Sequence, residues 1–170
     1  MLDLSGIVSD SIVDGPGIRT TIFSQGCPHH CPGCHNPETW AFGCGTPLDT
    51  DSIVEIVRSN PLCRGVTFSG GEPFAQAEGF TELAQALKAL GYEVASYSGF
   101  TFEELLHGSE AQKKLLNSID ILIDGPFLLS EKSLEIAFRG SKNQRILDVP
   151  KSLAAGQAIE TASKRWLGEY

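Results

Sequence analysis

The chain is short of positive charge. Its 170 residues carry 13 Lys and Arg against 21 Asp and Glu, a formal net charge of −8. Contact with a phosphate backbone demands clustered Lys and Arg, so this balance argues against a nucleic-acid partner. The chain also lacks any apolar run of the ~20 residues needed to span a bilayer, and no membrane association is expected. Asp3 interrupts the start and the first basic residue is Arg19, so no secretory signal is read there and a cytoplasmic location is expected. Internal repeats, low-complexity segments and linker-like shifts in composition are missing too, which implies a single domain over residues 1–170. Length is itself a shortage. A complete eight-fold β/α barrel typically needs about 250 residues, with about 200 as a lower limit, so any barrel here is incomplete.

The cysteines do not suit a disulfide framework. They number five, and Cys27, Cys31 and Cys34 crowd into eight positions. An odd count with such clustering reads as metal chemistry in a reducing compartment.

Short β-rich runs alternate with helical patterns, which favours an α/β fold with a parallel sheet and helices outside it. Strands are expected at Arg19–Gln25, Gly65–Ser69, Glu93–Ser98, Asp120–Asp124 and Arg145–Val149. Ile53, Ile56 and Val57 share a helical face after the cap candidates Asp49–Asp51, and Phe80, Leu83, Leu87 and Leu90 recur at helical spacing. Thr101 and Glu104 form a capping box ahead of Leu105 and Leu106, and Gly108 is expected to break that segment in two. In a parallel β/α arrangement, the cysteine loop, the SGGEP segment (Ser69–Pro73), YSGF (Tyr97–Phe100) and DGPF (Asp124–Phe127) all emerge at carboxyl ends of strands. Such folds place their active sites on that rim.

Cys27-Pro-His-His-Cys31-Pro-Gly-Cys34 lets one loop wrap three thiolates around one metal centre. Zinc is the plain alternative, with His29, His35, Cys44 and Cys63 available as a fourth ligand. Three thiolates suit a [4Fe-4S] cluster that leaves one iron open, since an electron-transfer cluster normally occupies four cysteines. In Ser69-Gly-Gly-Glu-Pro73, Gly70 and Gly71 permit close backbone approach at a strand end. Glu72 offers a carboxylate to a cationic ammonium; a tight turn into the next helix is the bland alternative.

The cysteine triplet and the Gly-Gly-Glu segment together resemble the radical S-adenosylmethionine enzymes. Val13-Asp-Gly-Pro-Gly-Ile-Arg-Thr20 and Cys34-His-Asn-Pro-Glu-Thr-Trp40 look like the glycyl-radical-enzyme activases of that superfamily. Pro32-Gly-Cys, Asp124-Gly-Pro-Phe and the Arg139–Arg145 run resemble the branch acting on anaerobic ribonucleoside-triphosphate reductase. The resemblance covers roughly residues 13–145.

It implies a partial (β/α) barrel of radical S-adenosylmethionine type, incomplete and laterally open so that a glycine loop of the partner reductase can enter. Cys27, Cys31 and Cys34 would hold three irons of one [4Fe-4S] cluster, and the fourth iron would bind S-adenosyl-L-methionine. Reductive cleavage of the sulfonium would give a 5′-deoxyadenosyl radical, which abstracts hydrogen from a backbone glycine. The electron would come from a flavodoxin- or ferredoxin-type donor. Gly70, Gly71 and Glu72 would hold the methionyl ammonium, and the backbone of Gly33, Cys34 and His35 would line the adenine side. Many relatives carry an aromatic before the third cysteine, so with Gly33 the adenine must find apolar packing elsewhere.

Ser98 is a candidate ribose or carboxylate contact, with a turn serine as its alternative. Asp124 either orients ligand or caps its turn. A related activase has a lysine where Pro126 stands, so that function is absent. Arg139, Asn143 and Arg145 are candidates for a partner-facing edge. No general acid or base is expected. Cys63 reads as a buried small hydrophobe, Cys44 as more exposed, and Trp40 as a packing anchor for the cysteine loop. Two alternatives stay open: a radical enzyme acting on a small molecule, similar to 7-carboxy-7-deazaguanine synthase, and a non-catalytic zinc-binding interaction module.

Overall fold

The computed structural model describes residues 1–169. Its strands are β1 (Leu2–Ser11), β2 (Arg19–Ser24), β3 (Thr46–Leu48), β4 (Gly65–Gly70), β5 (Glu93–Tyr97), β6 (Ile121–Asp124) and β7 (Arg145–Asp148). They form one sheet in the order β3-β1-β2-β4-β5-β6-β7. The helices are α1 (Thr50–Arg58), α2 (Ala77–Ala89), α3 (Phe102–Leu106), α4 (Glu110–Leu116) and α5 (Val149–Ala155). The sheet is not closed: β3 and β7 are its two edges.

The expectation of a parallel sheet is corrected at both flanks. β2, β4, β5 and β6 are parallel neighbours, while β1 and β3 add on antiparallel beside β2, and β7 runs antiparallel to β6. The five expected strands are present, each within a residue or so of its expected ends; β1, β3 and α5 were not anticipated. β1 hides because its register slips between Leu4 and Gly6 and again between Val8 and Ser11. Each bulge breaks the two-residue alternation by which a strand is recognised. β3 has Pro47 at its centre, tolerated because this is an edge strand.

Alternation along the parallel strands separates two faces. Ile22, Val66, Phe68, Val94 and Leu122 join Ile53, Val57, Phe80, Leu83, Leu87, Phe102 and Leu105 in the main core under the helices. Leu90, expected on the same stripe, lies at the C-cap of α2 and is exposed. The helix starts follow local capping chemistry: Asp49 accepts from the Ser52 amide, and Thr101 and Ser109 each open a full capping box. Gly108 falls in the break between α3 and α4, as expected.

The opposite face carries Thr21, Thr67, Ala95 and Ile121 in register. A second apolar cluster of Ala95, Ile121, Ile123, Ile146 and Trp166 covers one part of it. Arg19 is buried on this face, paired with Glu93 Oε1 at 2.9 Å and 5.0 Å from the Trp166 ring centroid. Burial pulls its guanidinium below the ordinary arginine range, and Glu93 opposes that.

Candidate active site

The four parallel strands end on one rim, and the four loops leaving them share one cavity of about 640 Å³. Cys27, Cys31 and Cys34 line it from the loop after β2, Gly70 and Gly71 from the end of β4, Ser98 and Gly99 from beyond β5, and Gly125 and Phe127 from beyond β6. The rim expected from sequence exists.

Backbone pairing sets the base of the cysteine loop. Gly26 and Cys27 donate to the carbonyls of Thr39 and Trp40, so the segment returns on itself. Gly71 and Glu72 in turn donate to the carbonyls of Ser24 and Gly26. A Cβ at Gly71 would collide with the carbonyl oxygens of Gly26 and Thr39. Gly70 adopts φ +89°, and a Cβ there would meet the Ser24 backbone nitrogen at 2.7 Å. The glycine pair is therefore required by close backbone approach. His30 stacks on Trp40 at 4.6 Å, which makes Trp40 the packing anchor of the loop.

Cys27 is buried, while Cys31 and Cys34 are half-buried. Burial pushes the Cys27 thiol up, and the backbone N–H groups of His29 and His30 act against that. The Asn36 amide donates to Cys34 Sγ at 3.4 Å. Backbone donors aimed at cysteine sulfur are a feature of cluster-binding loops, because they stabilise thiolate charge. Among the described residues no three His, Cys, Asp or Glu side chains converge as on a single metal ion. The three cysteines line one wall of the cavity, and a set of three thiol donors fits a [4Fe-4S] cluster that leaves one iron open. Cys44 is exposed; Cys63 is buried against Thr20 and the Gly65 carbonyl.

Glu72 is fully buried and its carboxylate is the hub of the site. Oε1 meets His29 Nε2 at 2.6 Å and accepts from the Gly99 amide at 2.8 Å. Ser98 Oγ donates to both oxygens at 2.9 and 3.0 Å, and the Phe74 amide donates to Oε2. One side chain thus ties together the cysteine loop, the end of β5 and its own turn. Sequence reading saw the residue and missed the hub.

The remaining expected residues separate. Ser98 lines the cavity, but its hydroxyl is turned to Glu72. Asp124 is 1% exposed and lies outside the cavity wall; it binds Arg145 through both oxygens and accepts from the Phe102 amide. The two bonds Arg145 donates to Asp124, and two more it donates to Glu103, push its guanidinium up. Asn143 is likewise engaged inside the chain: it donates to the Pro126 carbonyl and accepts from Ser141. Arg139 lines the cavity.

Gly33 adopts φ +76°, and a Cβ there would lie 2.8 Å from Leu129 Cδ1 and 3.4 Å from Phe127 Cε1. Phe127 also packs at 5.1 Å against His35. Phe127, from beyond β6, thus packs against the cysteine loop where that loop has no aromatic of its own at Gly33, a contact sequence reading did not single out. Asp14 and Tyr97 are further lining residues it missed. Burial and the Asp14 charge push the Tyr97 phenol far up, so it stays a donor, to the Phe138 carbonyl at 2.7 Å.

An open α/β sheet with a three-cysteine loop on its rim defines a class, that of single-cluster iron–sulfur proteins. Residues 13–147 match the family model described as a 4Fe-4S single cluster domain. The anaerobic ribonucleoside-triphosphate reductase-activating protein of Escherichia coli (strain K12) is 34% identical over 141 residues, spanning 78% of this chain and 90% of that one. The protein of the same name from Vibrio cholerae is 34% identical over 143 residues, covering 79% and 90%. The pyruvate formate-lyase-activating enzyme of Clostridium pasteurianum is 38% identical over 112 residues, 61% of this chain but 47% of that one. The chain belongs to the family of anaerobic ribonucleoside-triphosphate reductase-activating proteins.

Proposed function

We propose that this chain is a radical S-adenosylmethionine activase that creates a glycyl radical on an anaerobic ribonucleoside-triphosphate reductase. One observation carries the reading: three cysteine thiols and the Gly70-Gly71 turn face one cavity at the carboxyl ends of four parallel strands. The open sheet is then a partial (β/α) barrel of the radical S-adenosylmethionine type. When bound, a [4Fe-4S] cluster and S-adenosyl-L-methionine supply reductive sulfonium cleavage to a 5′-deoxyadenosyl radical, with the electron from a flavodoxin- or ferredoxin-type donor. The protein's own work is binding, orientation and exclusion of water.

Cys27, Cys31 and Cys34 ligate the cluster. Glu72, which is fully buried behind the Gly70-Gly71 wall and does not itself line the cavity, accepts the methionyl ammonium in place of His29. Gly33, Cys34 and His35, with Phe127 packed against them, form one side of the adenine site. Ser98 and Asp124 act as positioning residues, Ser98 by orienting the Glu72 carboxylate and Asp124 by fixing the start of α3. Ile12, Val13 and Leu134 line the cavity while standing 71%, 70% and 89% exposed. They bound a lateral mouth, and a protein substrate needs such an entrance.

Anaerobic reconstitution with iron and sulfide, followed by reduction with S-adenosylmethionine and the reductase, tests the reading. A glycyl-radical doublet in electron paramagnetic resonance is expected. Cleavage of S-adenosylmethionine with no radical on the reductase would overturn the choice of partner, and stoichiometric zinc without iron would overturn the cluster.

A further inference from the structure

On the basis of the cluster in that reading, we infer that the Trp40 indole N–H donates to a sulfur of the cluster and thereby raises its reduction potential. Among the described residues, two buried side-chain polar atoms have no hydrogen-bond partner, Asp3 Oδ2 and Trp40 Nε1. Asp3 lies outside the cavity, whereas Trp40 lines it beside Cys27, Cys31 and Cys34. The chain's other indole, Trp166, directs its Nε1 toward Glu93 at 3.5 Å. A buried donor without an acceptor costs the desolvation of that group, so such a donor on the wall of a site is the place for a bound acceptor.

Backbone and ring of Trp40 are both fixed. Its carbonyl accepts from the Cys27 amide at 3.1 Å, and its amide donates to the Pro37 carbonyl. Gln25, itself buried, brackets the residue by donating to the carbonyls of Glu38 and Ala41. His30, between Cys27 and Cys31, holds the indole in a near-parallel stack with 7° between the planes. It does so from φ +48°, a left-handed conformation unfavourable for a residue with a side chain. Strain enforced at a ligand-binding loop is a mark of functional placement. Packing alone would be served by a phenylalanine ring; what the indole adds is one donor. The residues that fix it belong to the segment that holds the cluster, and sulfur in this loop already accepts an N–H, from Asn36 to Cys34 Sγ. The reduced cluster carries one more negative charge, so a donor to its sulfur stabilises the reduced state more than the oxidised one.

Redox titration of the reconstituted protein, read by electron paramagnetic resonance of the reduced cluster, tests the assignment. Trp40→Phe keeps a ring on His30 and removes the donor. It is expected to load iron and sulfide as wild type does. At a fixed potential its ratio of reduced to oxidised cluster should fall about fivefold, a more negative midpoint. Trp166→Phe removes the other indole and is expected to leave the midpoint in place. Should Trp40→Phe load less iron, the wild-type protein decides. With nitrogen-15 in its indoles, pulsed electron paramagnetic resonance is expected to show a nitrogen-15 coupling to the reduced cluster, which Trp166→Phe retains. An unchanged midpoint in Trp40→Phe, an equal shift in both variants, or no nitrogen-15 coupling overturns the assignment. So does a wild-type midpoint with weakened S-adenosylmethionine binding, since the N–H would then belong to that ligand. A wild-type chain that takes up zinc and no iron would instead overturn the cluster proposed above.

Discussion

Glycine 71 shows how a single residue type is dictated by a backbone approach. Its missing Cβ leaves room for the carbonyls of Gly26 and Thr39, which form the base of the cysteine loop. Gly71→Ala must push those two segments apart, and overpacking of this kind costs about 1–3 kcal/mol. The expected outcome is a lower urea midpoint together with reduced iron uptake on reconstitution. Gly6→Ala, with nothing within 4 Å of the added Cβ, is expected to change stability by less than about 0.5 kcal/mol. Loss of a ligand is a sharper test at the same scale. Cys31→Ala is expected to abolish cluster assembly, read as iron and sulfide content, and retention of a full cluster would refute its ligand role. The cysteines and the Gly-Gly-Glu segment were legible in the sequence because their spacing is local. The Glu72 hub and the Phe127 wall were not, because each joins residues more than 25 positions apart.

At the scale of elements, Arg145 holds together β6, β7 and the start of α3. It reaches Asp124 through Nε and Nη2 and Glu103 through both terminal nitrogens. Arg145→Ala would leave the Asp124 carboxylate buried with only the Phe102 amide as donor. Breaking a buried pair in this way costs about 3 kcal/mol, the low end of the usual range because Arg145 is partly exposed. Urea denaturation should show a lower midpoint with an unchanged slope.

A pH dependence follows from the same tie. Arg145 holds the Glu103 carboxyl below its ordinary value. A carboxyl depressed in the folded state contributes stability above the ordinary carboxylate range and loses it as pH falls through the folded value. The stability difference between wild type and Arg145→Ala should therefore shrink on acidification through that range; a constant difference would contradict the role of Glu103. Elements of this kind were only partly legible. The parallel strands show as β-branched runs and α3 as a capping box, whereas β1 hides behind two bulges, β3 behind a proline, and α5 spans only seven residues. The run from Arg139 to Arg145 stood out as a motif. Its reading as a partner edge did not anticipate that Ser141, Asn143 and Gln144 are spent on pinning the connection between β6 and β7.

For the whole molecule, the open sheet poses a packing problem. A closed barrel covers its inner face with its own strands, and an open sheet of seven strands cannot. Here the C-terminal segment supplies part of the cover. Trp166, 1% exposed, packs with Ala95, Ile121, Ile123 and Ile146, lies over Arg19, and directs Nε1 toward Glu93 at 3.5 Å. It also props Phe138, which lines the cavity. Stability and site geometry are thereby coupled through one side chain. Trp166→Ala removes the ring and is expected to cost about 3–5 kcal/mol in urea denaturation. Under conditions where the variant is still folded, S-adenosylmethionine should bind more weakly because Phe138 has lost its support. Trp166→Phe keeps the ring and loses only the long Glu93 contact, so it should stay within about 1 kcal/mol of wild type and keep normal ligand affinity. If Trp166→Ala unfolds as late as wild type, the inner face is not held by this cover. If instead it is destabilised yet binds ligand normally, the plug is structural alone and the cavity wall stands without it.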